Sequence, residues 1–246
     1  MRLTRCHVDL PLSAGAKATL PEPAAAHLVR VLRLREGDEC VLFNGDGNDY
    51  DARIVAAGKR GGEVEVTGAR PVASESPLRI VLLQGIARGE KMDWILQKAT
   101  ELGVVAVVPV ESERSEVKLD GERVGKRIAH WRSVIVAACE QSGRAVVPAI
   151  AAPMPLASAL DAQPAWAGLR LLLDPSAGQA LDAVAGHSSR ELMLAIGPEG
   201  GWSPRDRDLL QAAGFVGMRL GPRILRTETA GIAAIAVLQS RLGDVG

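Results

Sequence analysis

Apolar positions in the later part of the chain fall into two alternating patterns. Leu78–Gln84, Val104–Val110, Leu169–Leu173 and Leu192–Ile196 are short, nearly continuous apolar runs, the form taken by strands buried on both faces. Between them lie helical stripes. Met92, Ile95, Leu96, Ala99 and Leu102 share one face of a helix over Lys91–Leu102, which Gly103 stops. A long helix over Gly121–Ser142 turns Ile128, Trp131, Ile135 and Ala138 inward. Ala145–Ile150 reads as a strand and Pro155–Ala162 as a short helix. Strands that alternate with helices predict a parallel sheet covered on both faces, an α/β fold.

The pattern before residue 70 is different. Cys6–Leu10, Glu39–Phe43, Tyr50–Ala56 and Glu63–Thr67 are short strands separated by Gly-bearing turns, with one helix over Pro21–Leu32 that carries a stripe of Leu28, Val31 and Leu32. This predicts a small β-rich barrel or curled sheet. Ala69–Pro77, with two prolines and two serines, reads as a linker. The expected division is therefore 1–72 and 73–246.

Leu192–Ala230 carries the strongest local signals. A strand over Leu192–Ile196 runs into Gly197-Pro198-Glu199-Gly200-Gly201-Trp202. Ser203 suits a helix N-cap, Pro204 the first helical position, and Asp206 can complete a box-like cap. A short strand, Met218–Leu220, leads to a second loop, Gly221-Pro222-Arg223-Ile224-Leu225-Arg226, and then to a last helix. In open α/β sheets the ligand crevice lies beyond the carboxyl ends of the strands, where both loops fall. Either loop alone reads equally well as an ordinary turn; the pair is harder to dismiss. The last helix is apolar all round from Ala230 to Leu238, so either the fold wraps it or a second subunit covers it.

Composition narrows the function. The 246 residues include 29 basic and 29 acidic side chains, so any nucleic-acid surface must be local. Three widely spaced cysteines argue against a disulfide framework and, with no membrane-length apolar run, fit a cytoplasmic protein. Four scattered histidines have no ligand spacing, and no metal site is expected. The phosphate loop, the dinucleotide glycine fingerprint and the nucleophile elbow are all missing. His27, Arg30 and Arg33 share a helix face, with Arg2, Arg5 and Arg35 near in sequence; phosphate contact is one reading of that spacing, but the spacing alone favours a solvated face. Trp94, Gln97, Lys98 and Glu101 form a second, polar face on the Lys91 helix.

Several stretches together resemble a known family. They are His27-Leu28-Val29-Arg30-Val31-Leu32-Arg33, Gln97-Lys98-Ala99-Thr100-Glu101-Leu102-Gly103 with Glu90-Lys91 before it, Ser112-Glu113-Arg114-Ser115, Glu140-Gln141-Ser142-Gly143-Arg144, Gly197–Gly201 and Leu220–Ala230. The chain resembles the bacterial 16S rRNA (uracil-N3)-methyltransferases, the RsmE family of the SPOUT class. The resemblance implies a PUA-like RNA-binding domain, then a SPOUT-type parallel sheet with a C-terminal trefoil knot. It implies S-adenosylmethionine as cofactor, 16S rRNA of the small ribosomal subunit as substrate, and a homodimer. By carry-over, Leu173, Ile196, Gly197, Pro198, Glu199, Gly200, Gly201, Leu220, Gly221, Ile224, Leu225, Arg226, Thr227 and Ala230 would hold the cofactor. Arg2, Arg5, Arg30, Arg33, Lys91, Arg114 and Arg144 would meet RNA.

Methylating N3 of uridine needs loss of its proton, and so a base or a cation that stabilises charge on O2 and O4. Arg114 and Arg226 are the candidate charge stabilisers, and Glu140 or Glu228 the candidate proton acceptor or orienter. Two rival classes are an α/β dinucleotide enzyme, which the missing glycine fingerprint disfavours, and a non-catalytic RNA-binding module, which would ignore S-adenosylmethionine.

Overall fold

The computed structural model describes residues 3–58, 61–116, 122–162, 166–184 and 187–246. The chain divides into two compact units, one of residues up to Glu75 together with Cys139–Val147, the other of Ser76–Ala138 and Pro148–Gly246.

The first unit contains β1 (Arg5–His7), β2 (Lys17–Thr19), α1 (Glu22–Ala25) continuing into a π-helical turn (Ala26–Val31), β3 (Glu39–Phe43), β4 (Asn48–Gly58) and β5 (Gly61–Pro71). Its strand order is β1-β3-β4-β5-β2, with β1 parallel to β3 and the other pairings antiparallel. The alternation along β4 and β5 turns Ala52, Ile54, Val64 and Val66 onto Leu28, Cys40 and Leu42. The predicted helix is thus partly π-helical, and Arg33 just beyond it sits at φ 59°, a left-handed conformation that few non-glycine residues adopt. Cys6, Cys40 and Cys139 are free and buried, and burial, aided by Glu140 and Cys40, pushes the Cys6 thiol up to about 12.

Residues Cys139–Val147 had no predicted place in this unit, and the reason is a buried charge network. Arg5 donates to both oxygens of Asp49 at 2.6 and 3.3 Å, and to the carbonyls of Cys139 and Arg144 at 2.8 and 3.2 Å. Arg144 in turn is paired with Glu75, its Nε 3.0 Å from the carboxylate. Glu140 accepts from the His7 N–H at 3.0 Å. The strand expected over Ala145–Ile150 is only Ala149–Ile150, because Ala145–Val147 belongs to this network's unit.

The second unit contains β6 (Arg79–Gly85), α2 (Glu90–Glu101), β7 (Val104–Glu111), most of α3 (Glu122–Ser142), β8 (Ala149–Ile150), β9 (Met154–Pro155), α4 (Leu156–Asp161), β10 (Leu169–Leu173), β11 (Gln179–Ala180), a 3₁₀ turn (Leu181–Val184), β12 (Glu191–Ile196), α5 (Pro204–Ala212), β13 (Val216–Arg219) and α6 (Thr227–Leu242). All pairings in its sheet are parallel, in the order β11-β13-β10-β12-β6-β7-β8, with β9 beside β7. The central strands β12, β6 and β7 are the continuous apolar runs, as double burial requires.

Helix α5 starts as its sequence predicts. Ser203 accepts from the Asp206 N–H and Asp206 accepts from the Ser203 N–H, each at 3.0 Å, with Pro204 at the first helical position. Of the two expectations for helix α6, complete wrapping by the fold is not what the structure shows. Thr227, Gly231, Ala234, Ile235, Leu238, Gln239 and Leu242 are buried, but Ile232, Ala233, Ala236 and Val237 are only half-buried. It packs on α2, and Gln239 ties it there, donating to the Leu102 carbonyl at 2.8 Å and accepting from Ser76 at 2.7 Å. The fold therefore covers one face of this helix, not the whole circumference of its apolar Ala230–Leu238 stretch.

Candidate active site

The carboxyl ends of β10, β12 and β13 open onto one cavity of about 470 Å³. That size suits a small organic ligand. Strand β10 supplies Leu173 and the turn after it Asp174 and Pro175, while β12 supplies Ile196 and is followed by the loop Gly197–Trp202. The segment after β13 supplies Leu220, Gly221 and Arg223–Thr227, with Ala230 from the first turn of α6. Lys91, Arg114 and Arg207 add cations to the wall. Every residue expected to hold the cofactor lines this one cavity.

Close backbone packing shapes the first loop. The Gly201 N–H donates to the Pro198 carbonyl at 2.8 Å, closing a turn with Gly201 at φ 66°, where a side chain would be strained. Gly85, at the end of β6, lies directly beneath. A Cβ there would come within 2.5 Å of Pro198 Cδ and 2.6 Å of Pro198 N. Gly85→Ala is therefore expected to displace the loop, costing about 1–3 kcal/mol of stability and at least about tenfold in affinity for a cavity ligand, by the reach of such misplacements. Denaturant titration and calorimetry on the variant check both.

Glu199 braces the loop from the other side. Its carboxylate accepts from the Arg88 N–H at 3.1 Å and from Lys91 Nζ at 3.0 Å. Burial works to raise its pKa, but the Arg88 and Glu199 backbone N–H groups together with Lys91 outweigh it and hold the carboxyl below its usual 4.5. Such a group stabilises the fold above its unfolded value, and that contribution disappears as pH falls through the lowered one. Stability measured below pH 4.5 should decline with this component in the wild type and lack it in Glu199→Gln. Lys91, expected at RNA, is thus engaged with the loop.

The remaining expected residues separate clearly. Arg114 lines the cavity and donates to the Gly200 carbonyl at 3.1 Å. Arg226 lines it too, is exposed, and has no ion-pair partner among the described residues. Glu140 belongs to the first unit and is not part of the cavity wall. Glu228 sits in the first turn of α6 and is not part of the wall, with one carboxylate oxygen buried and without a hydrogen-bond partner. Arg5 and Arg144, expected at RNA, are buried in ion pairs with Asp49 and Glu75. Arg30, paired with Glu22, and Arg33 are exposed; Arg2 lies outside the described residues.

Sequence reasoning missed Asp174, Pro175, Trp202, Arg207 and Arg223 as wall residues. Asp174 was legible as the residue after a parallel strand, where ligands of such sheets bind. It accepts from the Ser176 N–H and hydroxyl at 2.9 and 2.7 Å, and Arg207 Nε lies 3.2 Å from its other oxygen. Among the described residues no group of three or more His, Cys, Asp or Glu could hold a metal, and no helix is long and apolar enough to cross a membrane.

Two family models match this chain. Residues 74–239 match an RNA methyltransferase domain and residues 20–67 an RNA methyltransferase PUA domain, so the class is RNA methyltransferase. The chain is 30% identical to ribosomal RNA small subunit methyltransferase E of Buchnera aphidicola, covering 99% of this chain and 98% of that one. Against the Bacillus subtilis protein of the same name it is 30% identical over 86% and 85%. The chain belongs to the ribosomal RNA small subunit methyltransferase E family. Its fold matches the crystal structure of the Neisseria gonorrhoeae member bound to S-adenosyl methionine, with a TM-score of 0.92, 38% identity and full coverage of both chains. A Legionella pneumophila methyltransferase structure with the same bound cofactor matches at a TM-score of 0.93 and 36% identity, over 99% of this chain and 100% of that one.

Proposed function

We propose that this enzyme transfers the methyl group of S-adenosylmethionine to N3 of a uridine in the 16S rRNA of the small ribosomal subunit. The observation that carries the reading is the single cavity beyond β10, β12 and β13, which gathers all the expected cofactor residues. The lining fits that cofactor. Leu173, Ile196, Leu220, Ile224 and Leu225 offer an aliphatic slot for an adenine ring, and the two glycine loops present backbone groups at close range. Glu199 and Asp174 stand among several cations, a mixed lining suited to a zwitterionic amino-acid end and a sulfonium.

When bound, the cofactor supplies a methyl group activated on sulfur. The chain's own residues must then make uridine N3 a nucleophile. Arg226 and Arg114 stand at the cavity wall, where positive charge stabilises the uracil anion left when the N3 proton departs. Glu140 and Glu228 do not line that wall, and the carboxylates that do, Glu199 and Asp174, are paired with Lys91 and Arg207, which favours charge stabilisation by the arginines over a carboxylate base. The target uridine must be unpaired, because pairing buries N3.

The reading extends to a C-terminal trefoil knot, supported by the insertion of β13 between β10 and β11 and the return of its following loop to the Gly197 loop. It extends to a cytoplasmic homodimer, in which the half-buried face of Ile232, Ala233, Ala236 and Val237 would receive a second copy. Exposed Arg30 and Arg33 of the first unit are the remaining expected RNA contacts.

The test is transfer of labelled methyl from S-adenosylmethionine to small ribosomal subunits from a strain without this enzyme, followed by nucleoside mass analysis. New 3-methyluridine is the expected result. Cofactor binding without transfer would redirect the search to another RNA or nucleophile. Neither binding nor transfer would undo the reading of the cavity.

A further inference from the structure

Gln84 is the penultimate residue of β6, in register with Ile196 of β12 and Pro109 of β7, and is completely buried. A primary amide is an unusual choice there, because the strand before it is apolar and the simple residue for the position is Leu or Met. Both of its N–H groups are used. Nε2 donates to the Gly85 carbonyl at 2.8 Å and to Thr227 Oγ1 at 3.2 Å. The Thr227 hydroxyl, accepting from Gln84, donates its own proton to the Gly197 carbonyl at 2.6 Å. The direction of the chain is forced: amide to hydroxyl to carbonyl.

The same geometry leaves Oε1 of Gln84 buried with no hydrogen-bond partner. Turning the amide over would set that oxygen against the Gly85 carbonyl and deprive Thr227 of its donor. The orphan is thus a consequence of the relay, and it is unfavourable in a way that an aliphatic side chain would not be. Packing alone does not account for the amide. Its effect is to join the first residue of one cavity loop, Gly197, to the residue that ends the other, Thr227.

We propose that Gln84 is a positioning residue for methyl transfer, which sets the two cavity loops against each other through the Thr227 hydroxyl. The inference rests on the reading of the cavity as the S-adenosylmethionine site. Gln84 is not part of the cavity wall; it acts through Thr227.

Three variants and their combination test it. Gln84→Met removes the donors and the orphan acceptor together at similar volume. Thr227→Val removes the hydroxyl at constant shape, and Thr227→Ser keeps it. The readouts are the unfolding midpoint, cofactor affinity by calorimetry, and kcat and KM for labelled transfer to small ribosomal subunits. Gln84→Met should unfold close to the wild-type midpoint while cofactor affinity and kcat fall on the order of 10- to 100-fold, the cost of a small misplacement at a reacting site. Thr227→Val should fall alike, Thr227→Ser should recover most of what Thr227→Val loses, and the double variant should be no worse than either single one, as expected for one shared path. Wild-type affinity and turnover in Gln84→Met, additive losses in the double variant, or a loss that simply follows the unfolding midpoint would each overturn the proposal. A wild-type enzyme that fails to bind S-adenosylmethionine would instead overturn the reading of the cavity on which it rests.

Discussion

Asp49→Ala is expected to destabilise the first unit by about 3–5 kcal/mol, the largest stability effect of any single change considered for this enzyme. The Arg5 and Asp49 side chains are 5% and 9% exposed, and Asp49 accepts two hydrogen bonds from the Arg5 guanidinium. Removing the carboxylate strands a buried cation whose other contacts are two neutral carbonyls and the face of the Phe43 ring. Those carbonyls belong to Cys139 and Arg144, so the same change should loosen Cys139–Val147. Denaturant unfolding gives the magnitude, and hydrogen exchange over Cys139–Val147 gives the location. Asp49→Asn, which keeps the shape and one acceptor, should lose less. The alternative role for Arg5, direct contact with RNA, makes the opposite forecast: unchanged stability with weakened RNA binding.

Arg226→Ala is expected to lower methyl transfer by about 10²- to 10³-fold, the usual loss when one stabiliser of developing charge is removed. Its side chain is exposed at the cavity, so the variant should fold normally. Cofactor affinity should change by no more than a few-fold, since backbone groups and aliphatic side chains make up most of the surrounding wall. Single-turnover transfer and calorimetry on the same preparation separate the two quantities. Loss of cofactor affinity in parallel with transfer would place Arg226 in the cofactor's binding site and leave Arg114 as the candidate charge stabiliser. Arg226→Lys should recover only part of the rate, because an ammonium cannot reproduce the planar fork of a guanidinium.

Local signals made much of this site visible in the sequence. The Ser203, Pro204 and Asp206 cap depends on neighbours three residues apart, and it forms as written. The apolar runs of β6, β7, β10 and β12 mark buried parallel strands because both faces of such strands are covered. Once strands and helices alternate, the two glycine-bearing loops must fall at strand ends, and the fourteen expected cofactor positions share one cavity wall. Charged residues were far less legible. Arg5, Arg144 and Lys91 look like surface cations in a linear reading, yet each is engaged by a carboxylate distant in sequence: Asp49, Glu75 and Glu199. Sequence spacing carries no information on such pairings, because the partners meet only after folding.

The sequence by itself determined the alternation of strands and helices, the positions of the two loops and the family to which the chain belongs, since each rests on short-range pattern or on contiguous motifs. Tertiary structure alone decided which cations are left to do chemistry. It drew Cys139–Val147 into the first unit through Arg5, covered only one face of α6, and placed Gln84 behind the cavity to join two loops that are far apart in the chain. The physical reason is common to all three. A buried cation or amide N–H finds its partner wherever the fold brings one within about 3 Å, and that distance is set by packing, not by position along the chain.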